Sequence, residues 1–204
     1  MINPSFDITR ENIVLQNDKV LLRPLEEKDL ENFLFFSLNE ADIFKYSIFS
    51  PGGSEENMKK YIADYIKQKD VGKEYAFVVI DKVTNSYAGC TRFYDIQLEN
   101  NSTQLGYTWY GKAFQRTGLN RICKWLLLEF AFEKWGIERV EFRADAQNEP
   151  SIKAMQAIGC TVEGILRSCV SLPFQDRRRD SIILSILKDE WFDHVKRDLA
   201  GKIY

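Results

Sequence analysis

The sequence predicts an α+β chain in three layers, a mixed sheet with helices on both faces. Three observations carry that prediction. Strand-like and helix-like runs interleave in the order strand, two helices, three strands, helix, strand, helix, two strands. No linker, repeat or low-complexity tract separates them, so a single domain over residues 1–204 is expected. The composition, 45% hydrophobic and 13% aromatic, is enough for one core of ordinary size.

Each element has a local reason. Val20 to Leu25 (VLLRPL) reads as the first strand. Leu30, Phe33, Leu34 and Leu38 then fall at helical spacing behind an acidic start. Pro51, Gly52 and Gly53 break the chain, and Ser54 can cap a second helix whose inner face is Met58, Tyr61, Ile62, Tyr65 and Ile66. Three strands follow, Tyr75–Asp81, Tyr87–Gln97 and Thr103–Tyr110, separated by Asn- and Ser-rich turns. A helix from about Leu119 to Trp135 is apolar nearly all round and should be buried, with Gly136 as its stop. Arg139–Asp145 alternates as a strand. Pro150 opens a short helix to Ile158, closed by Gly159. Two last strands, about Val162–Leu172 and Asp180–Leu187, flank the loop PFQDRRR.

Composition excludes several classes of function. The formal net charge of −2 gives no general field for nucleic acid. No apolar run approaches the ~20 residues of a spanning helix. The opening MINPSFDITRENIVLQND lacks the pattern of a secretory signal, so a cytoplasmic protein without a membrane partner is expected. Cys90, Cys123, Cys160 and Cys169 show no CxxC pairing and read as reduced thiols, not as a metal site. The single histidine, His194, rules against a histidine triad or a multi-histidine metal centre, and reads as a surface helix residue.

One short stretch stands out. FQRTGLN, Phe114 to Asn120, is a polar hinge immediately before the most hydrophobic helix. A helix start carries unpaired N–H groups and about half a positive charge. Gly118 lets the backbone approach a ligand closely, and Arg116 adds a charge. The hinge reads either as an ordinary turn or as an anion seat. GxxxxGK[ST] and GxGxxG are both absent, so it is not a nucleoside triphosphate or dinucleotide loop.

The surrounding motifs resemble the GNAT superfamily of N-acetyltransferases, in the branch of the RimJ/RimL ribosomal-protein enzymes. Gln115-Arg116-Thr117-Gly118-Leu119-Asn120 is similar to the family's Gln/Arg-x-x-Gly-x-Gly/Ala loop, with Asn120 at the small-residue position. LGYTWYGKAFQ resembles its fourth strand. NEPSIKAMQAIGC resembles its Asn-x-x-Ser helix, with Cys160 in place of a Phe. LLRPLEEKDLENF and RRRDSIILSILKDEW resemble the branch's opening and ending, so the likeness runs from about Val20 to Trp191. The resemblance implies a mostly antiparallel sheet of about seven strands. It implies acetyl-coenzyme A as cosubstrate, no metal, and an amine acceptor, either a peptide N-terminus or a small molecule. It leaves room for a homodimer and for ribosome association. Arg116 to Asn120 would cradle the pyrophosphate. The backbone of Trp109 and Tyr110 would run beside the pantetheine arm, with Asn148 and Ser151 facing it from the other side.

Amide formation from a thioester needs a neutral amine, a stabilised carbonyl oxygen, a stabilised leaving thiolate and alignment. A backbone N–H near Trp109 could serve the oxyanion. The Ser151 hydroxyl could bond the departing sulfur, or simply cap its helix. Where relatives often carry a glutamate, this chain has Gln104, which cannot take a proton. Tyr107 and Glu141 are nearby by strand alternation, though Tyr107 reads first as core and Glu141 as a solvated strand residue. Arg177, Arg178 and Arg179 read as a solvated hairpin loop, or as an attractor of acidic substrate or ribosomal RNA. Phe33, Phe35, Phe36, Phe44, Tyr46 and Phe49 suit either an acceptor cleft or helix packing. Two functions follow: an acetyl-coenzyme A-dependent N-acetyltransferase, or a weak or inactive member that only binds coenzyme or partner.

Overall fold

In the computed structural model, Ile8 and residues 11–172 and 175–203 are described. Most of the signal-sequence reading at the N-terminus, and Pro173 and Phe174 of the PFQDRRR loop, lie outside the described residues. The strands are β1 (Leu15–Gln16), β2 (Val20–Pro24), β3 (Glu74–Asp81), β4 (Ser86–Gln97), β5 (Ser102–Tyr110), β6 (Arg139–Asp145), β7 (Thr161–Leu172) and β8 (Arg177–Leu187). They form an eight-stranded sheet in the order β1-β2-β3-β4-β5-β6-β8-β7. Every pairing is antiparallel except β5 with β6. The strand beyond the seven expected is β1, whose two residues are too few to show a period.

Helices cover the two faces unequally. The helices α1 (Leu30–Asn39) and α2 (Glu55–Asp70) lie on one face, where Phe33, Phe36, Met58, Tyr61 and Tyr65 pack on Ala76, Val78, Cys90 and Trp109. On the other lie α3 (Leu119–Glu129) and α4 (Glu149–Ala157). Leu119, Ile122, Cys123 and Leu126 of α3, with Met155 of α4, pack there on Tyr75, Phe77, Phe93, Leu105 and Phe142. The strand β3 shows the arrangement most clearly, since its alternate residues serve the two cores. Beyond β5 the α1/α2 side of the sheet carries charged and hydroxyl side chains of β6 and β8 in place of an apolar core.

Several expected boundaries hold. Ser54 Oγ accepts from Asn57 N at 3.1 Å and caps α2. Gly136 and Gly159 both adopt positive φ where their helices stop. After Glu129, α3 continues as a wider π turn over Phe130–Trp135. The start of α1 is pinned by Asp29, fully buried and gripped at both oxygens by Arg23 (2.8 and 2.5 Å). Tyr87 donates to the same carboxylate at 3.2 Å.

The arginine run corrects the sequence reading. Arg177, Arg178 and Arg179 are the first residues of β8, not a solvated loop. Strand formation is tolerated because two of the charges have acceptors. Arg177 donates to Asp145 at 2.5 Å, and Arg178 donates to the Ser168 carbonyl at 3.0 Å.

Candidate active site

The parallel pairing of β5 with β6 covers only Ser102–Gln104 against Arg139–Glu141. Beyond Gln104 and Glu141 the two strands part. β5 stays with β4 as far as Tyr110, and β6 stays with β8 as far as Asp145. A wedge therefore opens through the sheet, and one edge of β5 beyond Gln104 is left without a strand partner. Such an edge can accept an extended ligand arm as if it were a strand.

A bulge shapes that edge. Cys90 pairs with Trp109 and Arg92 with Gly106, so Tyr107 and Thr108 together oppose Thr91. Tyr107 takes φ 48°, a costly conformation for an aromatic residue. Gly89 permits the next step. A Cβ there would lie 2.0 Å from the Trp109 carbonyl oxygen.

The hinge follows at the end of β5. Gln115 Nε2 donates to the Tyr110 carbonyl at 3.0 Å, and Tyr110 Oη donates to Asn120 Oδ1 at 3.3 Å. Thr117 Oγ1 donates to the Phe114 carbonyl at 2.9 Å and accepts from Leu119 N at 3.3 Å. These three side chains hold the loop in shape. Arg116 and Gly118 both take left-handed φ, 63° and 91°. Among the described residues, the N–H groups of Arg116, Thr117, Gly118 and Asn120 find no acceptor in the protein. A Cβ on Gly118 would meet nothing within 4 Å. The helix start, with Gly118 at its cap position, is thus exposed and open to an anion.

The other predicted residues divide. Trp109 is buried, its ring met edge-on by Phe33, Phe36 and Phe44 at 4.9, 5.4 and 5.2 Å. Those phenylalanines are core. Phe35 and Phe49 are exposed, and Tyr46 is half-buried. Asn148 caps α4, its Oδ1 accepting from Ser151 N at 3.2 Å. The capping role open to Ser151 therefore belongs to Asn148. The half-buried Ser151 hydroxyl has no bond among the described residues.

Candidate bases are poorly placed. Gln104, 6% exposed, donates to Asp95 Oδ2 at 2.7 Å. Tyr107 packs on Tyr94 at 4.8 Å beneath Arg92, and burial pushes its hydroxyl above the ordinary range. Glu141 is not a freely solvated residue. Arg139 and Arg143 hold it at 2.9 and 2.6 Å. His194 is exposed, as expected.

Sequence reasoning missed Lys124. It lies on α3 facing the sheet, 5% exposed, and donates to Thr108 Oγ1 at 2.9 Å and Thr91 Oγ1 at 3.3 Å. No carboxylate pairs with it among the described residues, and burial pushes its ammonium down to about 8. The available signal was a charge inside the otherwise apolar run Ile122–Leu128. Its neighbour Cys123 is fully buried, and burial pushes that thiol up to about 12. A thiol so protonated is no nucleophile.

Residues 19–161 match the family model described as acetyltransferase (GNAT) domain. The chain is a GNAT acetyltransferase. Its relatives include "Uncharacterized N-acetyltransferase p20" of Bacillus licheniformis, 24% identical, with 87% of this chain and 97% of that one covered. "Putative ribosomal N-acetyltransferase YdaF" of Bacillus subtilis (strain 168) is 27% identical, with 86% and 94% covered. A crystal structure of a GCN5-related N-acetyltransferase from Brucella melitensis shares the fold at TM-score 0.85 and 22% identity, covering 96% of this chain and 87% of that one. RimL, the ribosomal L7/L12 α-N-protein acetyltransferase solved with coenzyme A, shares it at TM-score 0.76 and 18% identity, covering 87% and 99%. Both solved structures show the shared fold. As a GNAT acetyltransferase the protein uses acetyl-coenzyme A as its acetyl donor. Among the described residues no helix is long and apolar enough to cross a membrane.

Proposed function

We propose that this acetyltransferase transfers acetyl to a primary amine, a peptide N-terminus or a small molecule, by direct attack with both substrates bound. The observation that carries the site assignment is the set of unpaired N–H groups at the hinge, facing open space at Gly118. They suit the pyrophosphate of the coenzyme, with Arg116 adding charge. The free edge of β5 at Trp109 and Tyr110 suits the pantetheine amides, with Asn148 and Ser151 opposite. When bound, the coenzyme supplies an activated acetyl thioester. The neutral acceptor amine attacks its carbonyl carbon, the C–N bond forms, and the C–S bond breaks. A backbone N–H near Trp109 serves the carbonyl oxygen, and the Ser151 hydroxyl serves the departing sulfur.

Gln104 cannot take the amine's proton, which passes to solvent as the coenzyme leaves as its thiolate. The rate therefore follows the acceptor's own ionisation, with a midpoint near pH ~8 for an N-terminal amine and ~10 for a lysine-like amine. The engagement of Gln104 by Asp95 also favours a second reading, a coenzyme-binding member with weak or no catalysis. Coenzyme release measured over a panel of amines and N-terminal peptides separates the two. Turnover with at least one acceptor supports the enzyme. Coenzyme binding without turnover on any of them supports the binding module.

A further inference from the structure

The face of the sheet opposite α3 holds an unbalanced charge. On it, Arg92 is paired with Glu74 at 2.5 Å, Arg143 with Glu141 at 2.6 Å and Arg177 with Asp145 at 2.5 Å. Arg179 is the exception. It is 5% exposed, yet among the described residues its guanidinium has no carboxylate within ion-pair distance and donates no hydrogen bond, and its Nε is fully enclosed. Asp145 lies within electrostatic reach but is already taken by Arg177. Burial pushes the Arg179 guanidinium below its ordinary range. A buried cation without a partner is destabilising and does not persist for stability alone.

Its position suggests what the charge is for. Ser181 stands opposite Asp145 at the end of β6, and Arg179 lies two residues on, on the same face. Tyr107 of β5, the other lip of the wedge, and Tyr94 of the neighbouring β4 lie within electrostatic reach. The hinge and α3 occupy the far side of the sheet. With the coenzyme entering from the hinge, the acceptor must come from the side of Arg179.

We propose that Arg179 binds a carboxylate carried by the acceptor, so that the preferred substrate is an amine bearing a nearby acid group. The inference rests on the acetyl-transfer reading above. The carboxylate can belong to a peptide with an acidic residue beside its N-terminus, or to a small amino acid-like amine. The guanidinium supplies paired donors for a carboxylate.

The test compares matched acceptors: a tetrapeptide with glutamate at its second position against its glutamine counterpart, and 4-aminobutyrate against butylamine. Wild type should prefer one acidic member over its neutral partner at least ~10-fold in kcat/KM, and the pair that shows it identifies the source. Arg179→Gln should abolish that preference by raising the acceptor KM, leave the coenzyme KM unchanged, and be partly rescued in Arg179→Lys. Arg179→Met should melt no lower than wild type, since it removes a partnerless charge. Equal use of acidic and neutral acceptors by wild type overturns the proposal. So does an Arg179→Gln variant that loses both classes alike, or an Arg179→Met variant that melts far lower. If coenzyme binds but no amine turns over, the proposed function falls on its own. Calorimetry of the glutamate peptide against wild type and Arg179→Gln with coenzyme present still decides the role of Arg179: binding lost in the variant supports it, and equal binding overturns it.

Discussion

The two openings of the wedge are built in different ways. The hinge side is made from one contiguous segment, Gln115 to Asn120, whose side chains bond to Tyr110, the Phe114 carbonyl and the Leu119 N–H and leave other backbone N–H groups free. The opposite side is assembled from β4, β5, β6 and β8, and its side chains carry the unmet charge. On the proposed reading, the first recognises the coenzyme with backbone and depends on one glycine, and the second recognises the acceptor with side chains and depends on long-range register.

The largest expected effect attacks the local device. Gly118→Val places a branched side chain in the anion's path and demands φ near 91°, which β-branched residues avoid. The Kd for acetyl-coenzyme A should rise at least ~10²-fold, or ~2.7 kcal/mol, by isothermal titration. Unchanged affinity would separate the hinge from the coenzyme.

Lys124 tests the region between the two openings. Its folded pKa of about 8 lies below the ordinary 10.5. Between those values the unfolded chain holds the proton and the folded chain does not, so stability rises with pH across that window. Urea titrations from pH 7 to 10.5 should show a rise of up to about 3 kcal/mol. Lys124→Met should remove that slope and be more stable than wild type at pH 7. A loss of stability in that variant would make Lys124 a structural donor to Thr91 and Thr108.

Ser151→Ala sharpens the division of labour on α4. Asn148 already caps the helix, so the melting temperature should hold while kcat falls about tenfold. A lowered melting temperature with unchanged kcat would return Ser151 to a structural role. The smallest expected effect is none. Cys123, with its thiol pushed up to about 12, should show no stable acetyl adduct by mass spectrometry after incubation with the coenzyme alone. A stoichiometric adduct there would replace direct transfer with an acyl-enzyme.

The same contrast explains what the sequence made legible. The hinge was readable because a strand, a glycine and an apolar helix are adjacent in the chain. Ser54, Gly136 and Gly159 were readable for the same reason. The bulge at Tyr107 was hidden, since LGYTWY alternates like an ordinary strand and only its pairing with β4 shows the extra residue. The arginine run was misread because its placement in β8 depends on Asp145 and Ser168, distant in sequence. Asp95 went unnoticed beside Gln104 because their contact also depends on register between strands.

On the proposed reading the coenzyme sits on the hinge side of the wedge and leaves the arginine face free. Amide hydrogen exchange with and without acetyl-coenzyme A tests it directly. The expected result is protection of the N–H groups from Trp109 to Asn120 and no change over Arg177–Ser181. Protection over Arg177–Ser181 with none at Arg116–Asn120 would contradict it.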